Sequence, residues 1–339
     1  MPTFLTTSKM SPALAARIEA SVTGRKLQPA DAHRAPRTSS VRMRRFVSIA
    51  RLVLVLTVAF AIYNFIVFRR ESQRALVQAR ASLLESVRVQ RESISAEDTQ
   101  AVPRIETWLT QLSGPYEGDL VDAELRGPGK LAETLARPMV YVRGTVDALV
   151  SPQAVAAAAR ASTKDAVVVC LVDPPATRTE PALLDKVRIA YAGGRNVESR
   201  TTNVRPLNDA IMGLPFLQPE WAERVQASED ARELARLRAD FERAPIEHAK
   251  QAARSTLLLA VIDEPGDGAG PTELDGERPH AVRVALVDLP SAKVLLRARH
   301  VVDPGWITPA RKATYAVGLD SCALALDVRE DVRRASGAP

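Results

Sequence analysis

Residues that commonly build catalytic and metal sites are scarce in this sequence. Among 339 residues there are two cysteines and four histidines, and aromatic residues make up 4%. The nucleophile elbow, the zinc-protease helix, the phosphate-binding loop and the dinucleotide-binding glycine pattern are all missing. The cysteines and histidines do not have the spacing of a zinc site, and the acidic residues do not follow the order of a calcium-binding loop. The sequence therefore predicts neither a cofactor nor a metal, and it indicates no familiar catalytic set.

Lysine is also scarce, and the basic charge is unevenly distributed. Only eight of the 46 basic residues are lysine, and together with the many alanines this bias indicates a GC-rich bacterial genome. Residues 1–45 contain nine basic and two acidic residues, whereas residues 69–339 contain 36 basic and 38 acidic residues. The net charge of +6 therefore belongs to the N-terminal segment. Because nucleic-acid-binding domains collect basic charge on one face, we expect no nucleic-acid partner.

A long apolar run occupies residues 46–68. Its 23 residues would form a helix of about 34 Å, enough to cross a hydrocarbon core of about 30 Å. The single charge inside it, Arg51, lies near one end, where its long side chain can reach the membrane surface. The sequence therefore predicts one transmembrane helix in contact with the lipid bilayer. A buried core helix is the alternative, but such helices rarely continue this far without a polar face.

The flanking charges predict the orientation of this helix. Seven basic residues lie between Lys26 and Arg51, and five lie between Arg69 and Arg88. The positive-inside rule then places the N-terminus in the cytoplasm and the C-terminal part in the periplasm or outside the cell. A cleaved signal peptide is the competing interpretation, because residues 59–61 read Ala-Phe-Ala. The apolar run continues beyond that site, so the sequence favours an uncleaved signal anchor in a bacterial inner membrane.

The chain divides into five predicted segments. They are a disordered basic cytoplasmic tail (1–45), the transmembrane helix (46–68), a helical stalk (69–102), an extracytoplasmic domain (103–334) and a disordered end (335–339). The stalk has one apolar stripe, formed by Leu76, Ala79, Leu83, Val87 and Ile94. This stripe could pair two copies of the chain as a short coiled coil and so form a homodimer. Its short length and Gln90 on the seam leave an unpaired helical stalk as the alternative.

The domain begins with the pattern of a βαβ unit. Residues 139–146 read as a strand, and Ser151 and Pro152 supply an N-cap and a first-turn proline for the following helix. Residues 166–172 (AVVVCLV) are continuously apolar, which is typical of a strand buried on both faces. The two strands would be parallel and joined by a right-handed crossover.

Helical and then strand-like patterns complete the domain. Helices are predicted over 181–192, 207–212, 219–243, 246–254 and 308–334, and strands over 256–263, 281–289 and 293–301. The last two strands flank Pro290, Ser291 and Ala292 and form a predicted hairpin. This order predicts an α/β or α+β domain with one mixed sheet of about five strands covered by helices.

The two cysteines, Cys170 and Cys322, form a possible disulfide. An even number of cysteines in an oxidising compartment permits a bridge, which would close a loop of about 150 residues. Two separate buried thiols are the alternative, because a free cysteine packs as a small hydrophobic residue.

Residues 264–279 are rich in glycine, proline and acidic residues and predict a mobile loop. A loop of this length indicates function or disorder. We therefore expect the loop to contact a partner through acidic side chains, with a solvated loop as the alternative. The acidic side chains in and beside it are Asp263, Glu264, Asp267, Glu273, Asp275 and Glu277.

Three functions are compatible with these patterns. The first is a binding or scaffold module of the cell envelope, whose partner is another envelope protein or the cell wall. The second is a membrane-tethered enzyme with a site assembled from scattered residues, for example His280, Asp288 and His300. The third is a signal sensor, although the tail contains no folded output domain. A deep pocket that gathers those side chains would favour the enzyme, and a shallow groove would favour binding.

Overall fold

The computed structural model describes residues 40–162, 164–191, 201–265 and 279–337, and for residues 40–50, 191 and 312–317 it describes the backbone alone. Internal contacts divide the chain into two units, Met1–Arg69 and Arg70–Pro339. The first long helix, α1, spans Ser40–Glu92.

The apolar part of α1 exposes large hydrophobic side chains. Leu52, Phe60 and Phe68 are 61%, 69% and 68% exposed. The hydroxyl of Thr57 and the amide of Asn64 donate to carbonyls one turn earlier, so these polar groups are satisfied inside the helix. By length and composition, α1 is the one helix in the described part of the chain that could cross a membrane.

The second unit is built on one mixed sheet of six strands. Their bounds are β1 Leu120–Val121, β2 Met139–Thr145, β3 Val204–Pro206, β4 Leu257–Asp263, β5 His280–Asp288 and β6 Lys293–Val302. The spatial order is β1-β6-β5-β4-β2-β3. Strand β2 runs parallel to both neighbours, β3 and β4, and the remaining pairs are antiparallel.

Helices cover both faces of this sheet. The helices that follow α1 are α2 Ala96–Thr99, α3 Ala101–Leu112, α4 Lys130–Leu135, α5 Pro152–Ala161, α6 Ala166–Val172, α7 Glu180–Tyr191, α8 Leu207–Gly213, α9 Pro219–Ala227, α10 Ala231–Arg243, α11 Ile246–Ala253 and α12 Pro309–Ala335. One core contains α4, α6, α7 and α12, and the other contains α3, α5 and α8 to α11. Side chains of β2 and β4 alternate between the two cores, as the pleat of a central strand requires.

The α/β class and the mixed sheet confirm the sequence prediction, with six strands in place of about five. The two strands that were not predicted, β1 and β3, contain only two and three residues, too few for a periodic pattern. The predicted N-cap of α5 is confirmed, because the Ser151 side chain accepts a hydrogen bond from the amide of Ala154 and Pro152 is the first residue of the helix. The predicted hairpin is the β5–β6 pair.

The predicted strand over residues 166–172 is wrong, because this segment is helix α6. Its N-cap is Asp165, whose carboxylate accepts from the amides of Val167 and Val168. Six of its seven residues are buried, so the sequence has no polar face from which a helical period could be read. The parallel partners of β2 are therefore β3 and β4, and the predicted βαβ unit does not form.

The helix predicted over 219–243 is also corrected, since it consists of two helices, α9 and α10. The break lies at residues 228–230. Ser228 is buried there, and the Asp230 carboxylate accepts from the amide of Arg232 to begin α10.

The end of α1 lies against the helices of the second core. Leu83 and Val87 are 2% and 1% exposed within that core, and the other residues of the predicted stalk stripe pack around them. Arg80 donates to the Ser228 carbonyl, and Arg238 donates to the Ala79 carbonyl at 3.2 Å. Pairing of two stalks through this stripe would therefore require its release from the chain's own domain.

Candidate functional site

A buried polar cluster lies at the carboxyl ends of the parallel strands β2 and β4. The guanidinium of Arg143 binds Asp263 through two parallel hydrogen bonds, each 2.9 Å long. Its Nη1 also donates to Asp165 Oδ2 at 3.0 Å and to Ser321 Oγ at 2.8 Å. The side chains of Arg143, Asp165 and Asp263 are 8%, 0% and 9% exposed. This edge of a parallel sheet is where ligands commonly bind in α/β folds, so the cluster is the first place to look for chemistry.

The cluster extends to neighbouring elements. His280 Nε2 lies 3.3 Å from Asp263 Oδ1, and the Arg143 amide donates to Ser162 Oγ at 2.9 Å. Strands β2, β4 and β5 and helices α6 and α12 therefore meet in one hydrogen-bonded network.

The electrostatics of the cluster keep its central pair ionised. Burial raises the pKa of Asp263, but the Arg143 charge and hydrogen bonds from His280 and Arg143 outweigh this effect and leave the pKa lowered. Burial lowers the pKa of Arg143, and the two carboxylates reverse this to a value well above the usual one. Four hydrogen bonds already occupy the guanidinium. The arrangement is therefore a closed ion-pair network that fixes elements to one another.

The first two residues of the predicted acidic contact set bind arginines of the chain itself. Asp263 belongs to the buried cluster, and Glu264 accepts from Arg299 at 2.7 and 2.9 Å and from Arg283 at 2.5 Å. The hydrogen bonds from Arg299 are the main reason that the pKa of Glu264 falls to about 2. The other four residues, Asp267, Glu273, Asp275 and Glu277, lie outside the described residues. Contact of a partner with this loop stays a prediction.

Of the residues suggested for a scattered catalytic site, Asp288 lies apart from the two histidines, which the β5–β6 register places near each other at the other end of the hairpin. His280 begins β5 beside Asp263, whereas Asp288 ends the same strand and accepts from Arg137 at 2.6 Å. His300 lies on β6, with Nε2 2.7 Å from Asp331 Oδ2. Among the described residues, each of these three side chains therefore has its own charged partner, namely Asp263, Arg137 and Asp331.

A disulfide joins Cys170 on α6 to Cys322 on α12, with their Cα atoms 5.2 Å apart. Both cysteines are fully buried, and they are separated by 152 positions in sequence. Because α6 is a helix, the bridge ties two helices on one face of the sheet and does not join a helix to a strand.

An open cleft of about 730 Å³ lies between the loop before α4, the loop after α6 and the C-terminal half of α12. Apolar side chains form part of its lining, among them Leu131, Pro175, Leu326 and Val332. The charged side chains of the lining are Arg178, Arg329, Glu330 and Arg333. Arginines therefore outnumber carboxylates in this cleft.

The three arginines of the cleft differ in their partners. Arg178 pairs with Asp327, and Arg333 pairs with Glu330 through hydrogen bonds of 2.8 and 2.7 Å. Arg329 instead donates from Nη1 to the Leu171 carbonyl at 2.6 Å, in the last turn of α6. Burial lowers the pKa of Arg329. Among the described residues, no carboxylate binds this guanidinium.

A smaller groove of about 260 Å³ lies on the opposite face of the sheet, beside α3. Tyr116 lies in this groove near two guanidinium groups. The Cζ atoms of Arg283 and Arg297 are 5.6 and 5.9 Å from the centre of its ring. Both arginines also bind carboxylates of the same chain, Glu264 and Glu117. The groove is therefore lined by cation–π contacts and ion pairs that the chain makes with itself.

Comparison with protein-family models, with curated proteins and with solved structures gives no match. Function must therefore be inferred from the chemistry of the cluster and the cleft.

Two of the structurally important residues carried a readable signal in the sequence. Arg143 is the single charge within an otherwise apolar strand, and Asp165 stands directly before an apolar run, where an N-cap is expected. Arg329 carried none, because its surroundings come from segments distant in sequence.

Proposed function

We propose that this chain is a single-pass envelope protein whose extracytoplasmic domain is a binding module. The N-proximal apolar helix and the disulfide in the C-terminal domain are consistent with a single-pass anchored extracytoplasmic domain. Bacterial cytosol keeps thiols reduced, so a buried disulfide favours the oxidising side of the membrane. We place the N-terminus in the cytoplasm and the domain in the periplasm or outside the cell.

The observation that carries the binding function is the open cleft beside α12. Its volume of about 730 Å³ falls within the range of ligand sites, and its lining combines apolar and charged side chains. The titratable side chains of that lining are arginines and one glutamate, which suit recognition better than proton transfer. By contrast, the Asp and His side chains at the carboxyl edge of the sheet are already bonded within the chain.

Site-specific photo-crosslinking in the native membrane tests this proposal. A photoreactive residue replaces Thr177, which is exposed at the cleft, in the full-length chain. The matched control places the same residue at Gln153, which is exposed on α5 on the other face of the sheet. We expect a discrete adduct at Thr177 and none at Gln153.

A substitution in the cleft lining tests whether the adduct at Thr177 depends on binding in the cleft. Leu326→Arg adds charge and bulk to the lining and should abolish the adduct at Thr177. The same adduct at both positions, or no adduct at either, would contradict a binding function for this cleft.

A further inference from the structure

Arg329 has a half-buried guanidinium with spare hydrogen-bonding capacity. Its side chain projects from α12 into the cleft, and its single hydrogen bond within the described part of the chain runs from Nη1 to the Leu171 carbonyl. Removing a cation from water without a counter-charge is unfavourable. The position therefore favours binding of an anion, which the described part of the domain does not supply.

Capping of α6 accounts for only part of this arrangement. A cation near a helix C-terminus is favourable, and the Leu171 carbonyl lies in the last turn of α6. That contact uses one of the five N–H groups of a guanidinium. The Nε and Nη2 donors can bind both oxygens of one carboxylate, which is the geometry that arginine favours.

The other two arginines of the cleft act differently. Arg178 and Arg333 are each bound to a carboxylate of the same chain, Asp327 and Glu330. Their charges are therefore balanced in the free protein. Arg329 is then the one arginine of the lining without a carboxylate partner among the described residues, which favours a ligand with a single negative charge.

The apolar side chains of the lining favour an apolar group next to that single charge. Leu131, Leu326 and Val332 face the cleft, and Pro175 adds a rigid wall. We propose that the cleft binds the C-terminal carboxylate of a partner protein whose last side chain is apolar, with Arg329 holding the carboxylate. The free carboxylate supplies the counter-charge, and the last side chain covers the leucines and valine. This assignment rests on the proposed binding function and names its ligand.

Fluorescence anisotropy with short peptides tests the assignment. The probe is fluorescein-labelled Gly-Ser-Ala-Leu with a free carboxylate, titrated with the full-length chain in lipid nanodiscs. The matched control probe carries a C-terminal amide and so lacks the charge. We expect the amide to bind at least about tenfold more weakly, because one lost charged contact is worth about that factor.

Substitutions then assign the effect to one side chain. Arg329→Gln should reduce binding of the carboxylate probe to the level of the amide, and Arg329→Lys should give an intermediate affinity. Arg224→Gln makes the same chemical change at an exposed position on α9, on the other face of the sheet, and should leave binding unchanged. If Arg329→Gln unfolds because α6 loses its cap, the affinity of Arg329→Lys for the carboxylate probe decides whether Arg329 holds the carboxylate.

The outcomes separate this inference from the general function. Equal affinity of both probes, or no binding of either at up to about 0.1 mM of the chain, overturns the carboxylate assignment. If the Thr177 adduct persists in that case, the binding function stands with another ligand. A probe ending in D-alanine that binds better than one ending in L-alanine would assign the site to cell-wall peptides and would also overturn it.

Discussion

Replacement of Arg143 by methionine should be the most damaging single change in the buried cluster. The substitution keeps an unbranched apolar stem but removes the guanidinium, and so it leaves Asp165 and Asp263 without this cation. Loss of one partner from a buried ion pair costs about 3–5 kcal/mol of unfolding free energy. We expect a loss in this range at pH 7, a large share of the 5–15 kcal/mol typical of a domain.

The effect should depend on pH in a defined direction. In the native protein the pKa of Asp263 is lowered, so its stabilising contribution is present above the ordinary carboxyl pKa and is lost as pH falls through the lower folded value. Without Arg143, burial, the largest influence on this pKa, would be opposed by His280 and no longer by the guanidinium, and the pKa would rise. The stability difference between native and variant protein should therefore be largest at pH 7 and should shrink as pH falls through the raised pKa of the variant and then through the lowered pKa of the native protein.

Denaturant unfolding of the full chain in detergent, followed by far-ultraviolet circular dichroism without reductant, measures this difference. Arg224→Met is the matched control and should change stability by less than about 0.5 kcal/mol, because Arg224 is exposed. Adding Asp165→Asn and Asp263→Asn to Arg143→Met should recover part of the loss, since both buried charges are then gone. A loss below about 1 kcal/mol, or one that does not vary with pH, would refute the account of the cluster as an ionised network.

Three further predictions concern the core, the disulfide and the membrane orientation. Val168 is fully buried on α6, so Val168→Asp should cost several kcal/mol in the same unfolding assay, and near-normal stability would show that α6 is not part of the core. Cys322→Ser removes the disulfide, which spans a sequence separation of 152, and should lower the unfolding free energy by up to about 5 kcal/mol in the chain-entropy model. In the native protein, mass spectrometry after alkylation without reductant should find no free thiol. A phosphatase fused after the C-terminus should be active, and a fluorescent protein that folds only in the cytoplasm should be dark there; the reverse pattern would reverse the orientation.

The sequence determined the features that depend on local composition and short-range pattern. A run of 23 residues with one charge predicts a membrane-length helix without any tertiary information. Ser151 followed by Pro152 predicts the start of α5, and the alternating residues around Pro290 predict the β5–β6 hairpin. Each of these depends on contacts between residues close in sequence, so each could be read directly.

The secondary structure of residues 166–172 and the positions of the disulfide, the buried cluster and the cleft depend on tertiary packing. A segment that is almost entirely buried, with α7 and α12 packed against it, has no polar positions, so its apolar run fits a strand and a helix equally well. The Asp165 cap together with packing selects the helix. The same packing brings Cys170 to Cys322 and Arg143 to Asp263. It also forms the cleft around Arg329 from segments about 200 positions apart in sequence, a proximity that no local pattern encodes.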